Sequence, residues 1–275
     1  MEYVVLSPHA SIPPVEELRV ALGSALAAKL GGAMVGDALR VAIALGEARA
    51  TVTVWLTPGG FDAPPPGTSA PTRERLRGAR LTAHVEVLIR AGSERDDAAW
   101  CSSLTGALAH HLEGVVLDPV AQRVWDEEDW RPRLGNQPFR VEHHVFVETL
   151  GPDAGGRILV RTRGLAEFAR AELAMPNVAA AHVGTAAWLL AALADHTIGG
   201  PALEPRHRAS FAEAKVGLIA TGELLEVAGA RLPDDHPARD ASLAAALFVV
   251  DCEAADAGAP DANDALLAHL KTTVN

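Results

Sequence analysis

Apolar positions in the first half of the chain alternate between a period of two, the mark of a half-buried strand, and a period of about 3.6, the mark of a helix with one buried stripe. Tyr3–Leu6 predicts an opening strand, and Ser7-Pro8 and Pro13-Pro14 punctuate the entry into a helix. Val15, Leu18, Leu22 and Leu26 then recur at helical spacing, with Glu16 and Glu17 in the first turn, where negative charge suits the helix dipole. Gly31-Gly32 reads as the end of that helix. Leu39–Leu45 and Thr51–Thr57 predict two strands joined as a hairpin through Gly46–Arg49. Five prolines and three glycines in Pro58–Pro71 exclude a strand and predict an exposed loop, long enough to serve as a lid. Leu81–Ile89 alternates as a strand, Trp100, Leu104, Leu108 and His111 set a helix over Asp96–Leu112, and Val115–Leu117 resumes extended structure before the turn at Asp118-Pro119. The order β-α-β-β-β-α-β predicts an α+β fold, a mainly antiparallel sheet covered by helices, and not a doubly wound one.

Trp125–Arg133 breaks this rhythm. Its acidic run Asp126-Glu127-Glu128-Asp129 lies between Trp125 and Trp130, with Pro132 beyond. This predicts a linker over residues 125–138 between an N-terminal unit, 1–124, and a C-terminal unit, 139–275. In the second half Glu142–Thr149 and Arg157–Thr162 predict strands around the turn Gly151–Gly156. Leu165–Leu173 predicts a short amphipathic helical segment, and Val178–His196 a long helix closed by Gly199-Gly200-Pro201. Strands are expected again at Lys215–Ala220, Leu224–Ala228 and Ala244–Asp251, then a terminal helix at Asp261–Lys271 capped by Asp261. Both parts set strands around one prominent helix, as two α+β halves of similar make-up, an arrangement that also fits one packed domain.

Composition narrows the function classes. A chain of 275 residues is about the upper limit for one hydrophobic core and equally fits two units of about 100–150 residues. The net charge of −11 argues against a nucleic-acid surface and suits solubility or a basic protein partner. Cys101 and Cys252 are too few for a disulfide framework. No basic stretch leads into an apolar run at the N-terminus, and no segment reaches the roughly 18 apolar residues of a membrane span, so a cytoplasmic protein off the membrane is expected.

Three groups of residues carry candidate chemistry. Arg161 and Arg163, two apart on a strand, send both guanidiniums to one face, where they can hold a carboxylate or phosphate or pair with Glu167 and Glu172 of the next segment. Trp125, Asp126, Glu127, Glu128, Asp129 and Trp130 can bind a basic partner through tryptophan anchors and charge complementarity, or serve only as a solvated linker. His84 shares a strand face with Thr82 and Glu86, which allows an acid/base pair or a merely hydrogen-bonded histidine. None of the eleven histidines falls into a metal-binding spacing such as His-Glu-x-x-His, no serine sits in a Gly-x-Ser-x-Gly elbow, and neither metal nor cofactor is expected.

Leu81–Ile89 with His84, the helix to Leu112 and Gly114–Pro119, together with Thr162–Phe168 and Glu172-Leu173, resemble segments of an uncharacterised bacterial family of domains of unknown function, over residues 81–197. Ala169 stands where that pattern has glycine and Ala171 where it has proline. The resemblance implies a small α+β unit in which a His-bearing extended segment precedes a helix and a strand, and it implies no catalytic residue. Some similar domains occur beside toxins as immunity or accessory proteins. The expected function is thus a non-enzymatic cytosolic protein-interaction protein of the immunity or accessory kind. The alternative is a small-molecule enzyme or binding protein that takes an anionic ligand through Arg161 and Arg163 beneath the loop 58–71.

Overall fold

The opening strand, β1 (Glu2–Ser7), buries both faces, because Tyr3 and Val5 enter one apolar cluster while Val4 and Leu6 enter another. The structure is a computed structural model that describes residues 1–26, 29–35, 37–45, 48–56, 61–131, 138–153, 155–206, 208–211, 214–221, 223–224, 239, 243–251, 261 and 263–274. The chain divides into two units, Met1–Arg140 and Val141–Asn275. Both are α+β, built of mainly antiparallel sheets with helices packed on them.

In the first unit β1 is followed by helix α1 (Val15–Leu26) and the strands β2 (Lys29–Val35), β3 (Ala38–Leu45) and β4 (Ala48–Leu56). Helix α2 (Ala70–Arg77), strand β5 (Leu81–Val87), helix α3 (Glu94–His111), strands β6 (Val115–Asp118) and β7 (Arg123–Trp125) and the short helix α4 (Glu127–Trp130) complete it. The seven strands run β2-β3-β4-β5-β1-β6-β7, every neighbouring pair antiparallel. Gly31-Gly32, expected to end α1, lies inside β2, where it pairs with Val41 and Ala42 of β3.

One face of this sheet packs on α1 and α3. Leu18 and Leu22 of α1 and Leu104 and Leu108 of α3 meet Val5, Ala83 and Val85, and a leucine fully buried in this way contributes about 1.5–3 kcal/mol. Arg90 fixes the start of α3 by a fork of hydrogen bonds to buried Asp97, at 2.7 and 3.1 Å, while its own amide donates to the same carboxylate at 2.9 Å. Gly114 lets the chain enter β6 against β1, since a Cβ there would stand 2.5 Å from Cγ1 of Val5. Tyr3, Trp125 and Trp130 form an aromatic cluster in the same layer, with Trp130 edge-on to Tyr3 at 5.5 Å.

The segment 125–138 therefore does not begin as a linker. Trp125 closes β7 opposite Val116, α4 comes directly after it, and the boundary between units falls at Arg140 and Val141. The reason is the pair of buried indoles, which commit residues 125–130 to the core of the first unit.

The second unit contains β8 (Phe146–Leu150), β9 (Ile158–Arg163), β10 (Leu173–Val178), helix α5 (Val183–Thr197), β11 (Arg208–Phe211), β12 (Ala214–Ala220), β13 (Leu247–Asp251) and helix α6 (Asp264–Val274). Its sheet runs β11-β12-β13-β10-β9-β8, with β10 and β13 parallel and the other pairs antiparallel. The expected similarity of the halves reduces to one topological idea. In each, a central strand leads into a helix, and a meander then returns to pair beside that strand. The meander has four strands in the first unit and three in the second, so β5 returns antiparallel to β1 and β13 returns parallel to β10.

The helical segment expected at Leu165–Leu173 is a single 3-10 turn, Leu165–Phe168, which leads to strand β10. Gly164 and Ala169 hold left-handed conformations, with φ of 114° and 53°, and so stop the helix on both sides. Helix α5 starts at Val183, after a 3-10 turn at Ala180–His182, and α6 starts at Asp264 rather than Asp261. The strand expected at Leu224–Ala228 lies, beyond Leu224, outside the described residues.

Candidate ligand-binding site

Strand alternation directs Thr82, His84 and Glu86 of β5 away from the α1–α3 layer, on the same side as Glu2, Val4 and Leu6 of β1. The register sets Val4 opposite His84 and Glu2 opposite Glu86, which brings Glu2 diagonally across from His84. Nδ1 of His84 and Oε1 of Glu2 are 2.8 Å apart, with side chains 27% and 40% exposed. His84 is thus paired with Glu2, 82 residues away in sequence.

This pair lines a cavity of about 590 Å³. Val4, Leu6 and Leu117 line it from the sheet, and Phe61, Pro64–Pro66, Pro119 and Gln122 line it from the loops. Asp118 shapes the last corner, since its Oδ1 accepts from the amides of Val120 and Ala121 at 2.9 and 2.7 Å. Of the proline-rich segment, Phe61, Ala63 and Pro64–Pro66 line this cavity together with His84. Thr57–Gly60 of that segment lie outside the described residues.

Helix α2 holds the lid in place. The amide of Phe61 donates to the carbonyl of Leu76 at 3.0 Å, and Leu76 and Ala79 pack with Val4 and Leu6 on the sheet. Ser69 caps the helix, its Oγ accepting from the amide of Thr72 at 3.2 Å. Asp126 then ties the helix down, because Oδ2 accepts from the hydroxyl of Thr72 and Oδ1 accepts from Arg75 at 2.8 Å.

The six residues of the acidic segment consequently separate. Trp125 and Trp130 are core, Asp126 is the anchor of α2, and only Glu128 and Asp129 are exposed. Glu127 accepts from Arg131 at 3.2 Å and lies 3.4 Å from Nδ1 of His110. The Arg131 hydrogen bond, and after it that of His110, holds the Glu127 carboxyl below its ordinary range.

In the second unit Arg161 and Arg163 do share a strand face, and both reach Glu148 of β8 through the same oxygen, Arg163 at 2.6 Å. Glu148 stands directly opposite Arg161 in the β8–β9 register. Glu172 has a different task, accepting from the hydroxyl of Thr162 at 2.7 Å and from the amide of Gly164 at 2.9 Å, which closes the turn between β9 and β10. Neither Glu167 nor Glu172 is the carboxylate that meets the arginines in these bonds.

Among the described residues no group of three His, Cys, Asp or Glu is arranged to hold a metal ion, and no helix is long and apolar enough to cross a membrane. No family model matches the chain, and no curated protein or solved structure matches it.

Proposed function

We propose that the first unit binds a small, mainly apolar molecule in the cavity beneath residues 61–66, with the Glu2–His84 pair orienting its polar end. The observation that carries this reading is a histidine–carboxylate pair set into a mainly apolar cavity of ligand-sized volume. Small-molecule sites have this composition, a largely preformed apolar cavity with a few placed polar groups that fix orientation. For Arg161 and Arg163, Glu148 already supplies a counter-charge, so an anionic ligand there is the weaker reading.

A ligand-observed NMR screen of neutral fragments against the full chain tests the proposal, run in parallel on Ala63→Trp. Ala63 is exposed and lines the cavity, so the indole obstructs the space without entering the core. Fragments that bind the unsubstituted protein are expected to lose binding in the variant while its melting temperature is retained. Equal binding to both proteins refutes the site.

The acidic segment supports a second reading, contact with a basic protein, through the exposed carboxylates of Glu128 and Asp129. Recovery of the same partners by a Glu128→Gln, Asp129→Asn protein would count against it.

A further inference from the structure

We infer, on the footing of that binding reading, that the occupant of the cavity is a hydrophobic amine, with its ammonium group at Glu2 and its apolar body against Phe61 and the proline wall. The lining contains four polar residues, Glu2, Thr82, His84 and Gln122, and among the described residues no lysine or arginine borders the cavity. Glu2 is the one lining carboxylate among the described residues. Glu86 stands directly opposite it on β5, on the same side of the sheet. Like charges at directly opposed strand positions repel, so a cation between or beside them stabilises the arrangement. His84 already approaches one oxygen of Glu2 at 2.8 Å. An ionised carboxylate offers about four lone-pair sites, so the same group can accept from His84 and from an ammonium together. A carboxylate or phosphate ligand would instead meet the lining carboxylate of Glu2, with Glu86 behind it and a single histidine to oppose them. The surrounding apolar surface, with Val4, Leu6, Leu117 and Phe61, removes water from the rest of the ligand and strengthens the contact at its charged end.

The test is a matched series on one apolar body: phenylbutylamine, phenylbutanol and phenylbutyrate, titrated by calorimetry into the full chain, into Glu2→Gln and into Glu86→Gln. The amine is expected to bind about tenfold more tightly than the alcohol, as befits a hydrogen bond to a charged group, and the carboxylate most weakly. Glu2→Gln should abolish the preference for the amine over the alcohol. Glu86→Gln, a change at an exposed position, should narrow the preference for the amine. Tighter binding of phenylbutyrate, or an amine preference that survives Glu2→Gln, overturns the inference while the cavity remains a binding site. If neither this series nor any neutral fragment responds to Ala63→Trp, the binding reading fails and the inference falls with it.

Discussion

Asp126 accepts a hydrogen bond from the hydroxyl of Thr72 at 2.5 Å, and this contact joins the acidic segment to the helix that carries the lid of the cavity. Asp126→Ala removes it together with the Arg75 bond. Hydrogen bonds to charged groups contribute about 1.5–3 kcal/mol, and the partial exposure of Arg75 reduces its share, so a loss of about 1–2 kcal/mol is expected. Urea denaturation measures the loss, and amide exchange should locate it in residues 69–77. Glu128→Gln, at an exposed neighbouring position, should stay within about 0.5 kcal/mol of the parent. Unaltered exchange in α2 of Asp126→Ala would mean that the helix is held elsewhere.

Trp130→Ala separates a core tryptophan from a surface anchor. Trp130 is 2% exposed and lies 5.1 Å from Trp125 and 5.5 Å from Tyr3, centroid to centroid. Truncating a buried tryptophan costs about 3–5 kcal/mol, through lost transfer energy and the cavity left behind. Chemical denaturation monitored by far-ultraviolet circular dichroism reads this directly. A loss below about 1 kcal/mol would return the indole to the surface and restore it as a partner anchor.

The parts of the fold legible in the sequence are those whose burial repeats locally. Leu18 and Leu22 recur at helical spacing, and Tyr3 and Val5 alternate with Val4 and Leu6, so the elements that bury them emerge from pattern alone. Strand β10 does not announce itself, because Pro176 argues against a strand. It is tolerated where the register with β9 shifts between Met175 and Val178, next to the left-handed Asn177 at φ 59°. The tryptophans of the acidic segment lie on different elements, one closing β7 and one ending α4, and meet in one cluster, which no periodicity encodes. His84 is visible as a polar residue on an exposed-side position, but its partner Glu2 depends on the pairing of β1 with β5. A local window holds no signal for a contact of that range.

Glu148 is expected to matter more to the second unit than Arg163, one of the two arginines it serves. Arg161 has only 8% of its side chain exposed, so Glu148→Ala leaves a buried guanidinium without this carboxylate. Breaking a buried ion pair from one side costs about 3–5 kcal/mol, whereas Arg163→Ala, at a more exposed position, should cost about 1 kcal/mol. Denaturation of the single and double variants gives the coupling between Glu148 and Arg161. A coupling indistinguishable from zero would show that Glu148 does not neutralise Arg161.

Glu127 provides a test by acid. Hydrogen bonds from Arg131 first and His110 second lower its carboxyl from the ordinary value of 4.5. A carboxylate whose value is depressed on folding stabilises the folded state fully above the unfolded value, and that contribution is lost as pH falls through the folded one. The stability difference between the parent protein and Glu127→Gln should therefore be present at neutral pH and disappear on acidification below 4.5. Carbon-detected NMR titration should place the Glu127 midpoint under that value, with Arg131→Ala raising it towards 4.5 and His110→Ala raising it less, in the order of the two hydrogen bonds. A midpoint that does not move in Arg131→Ala would assign the depression to some other group.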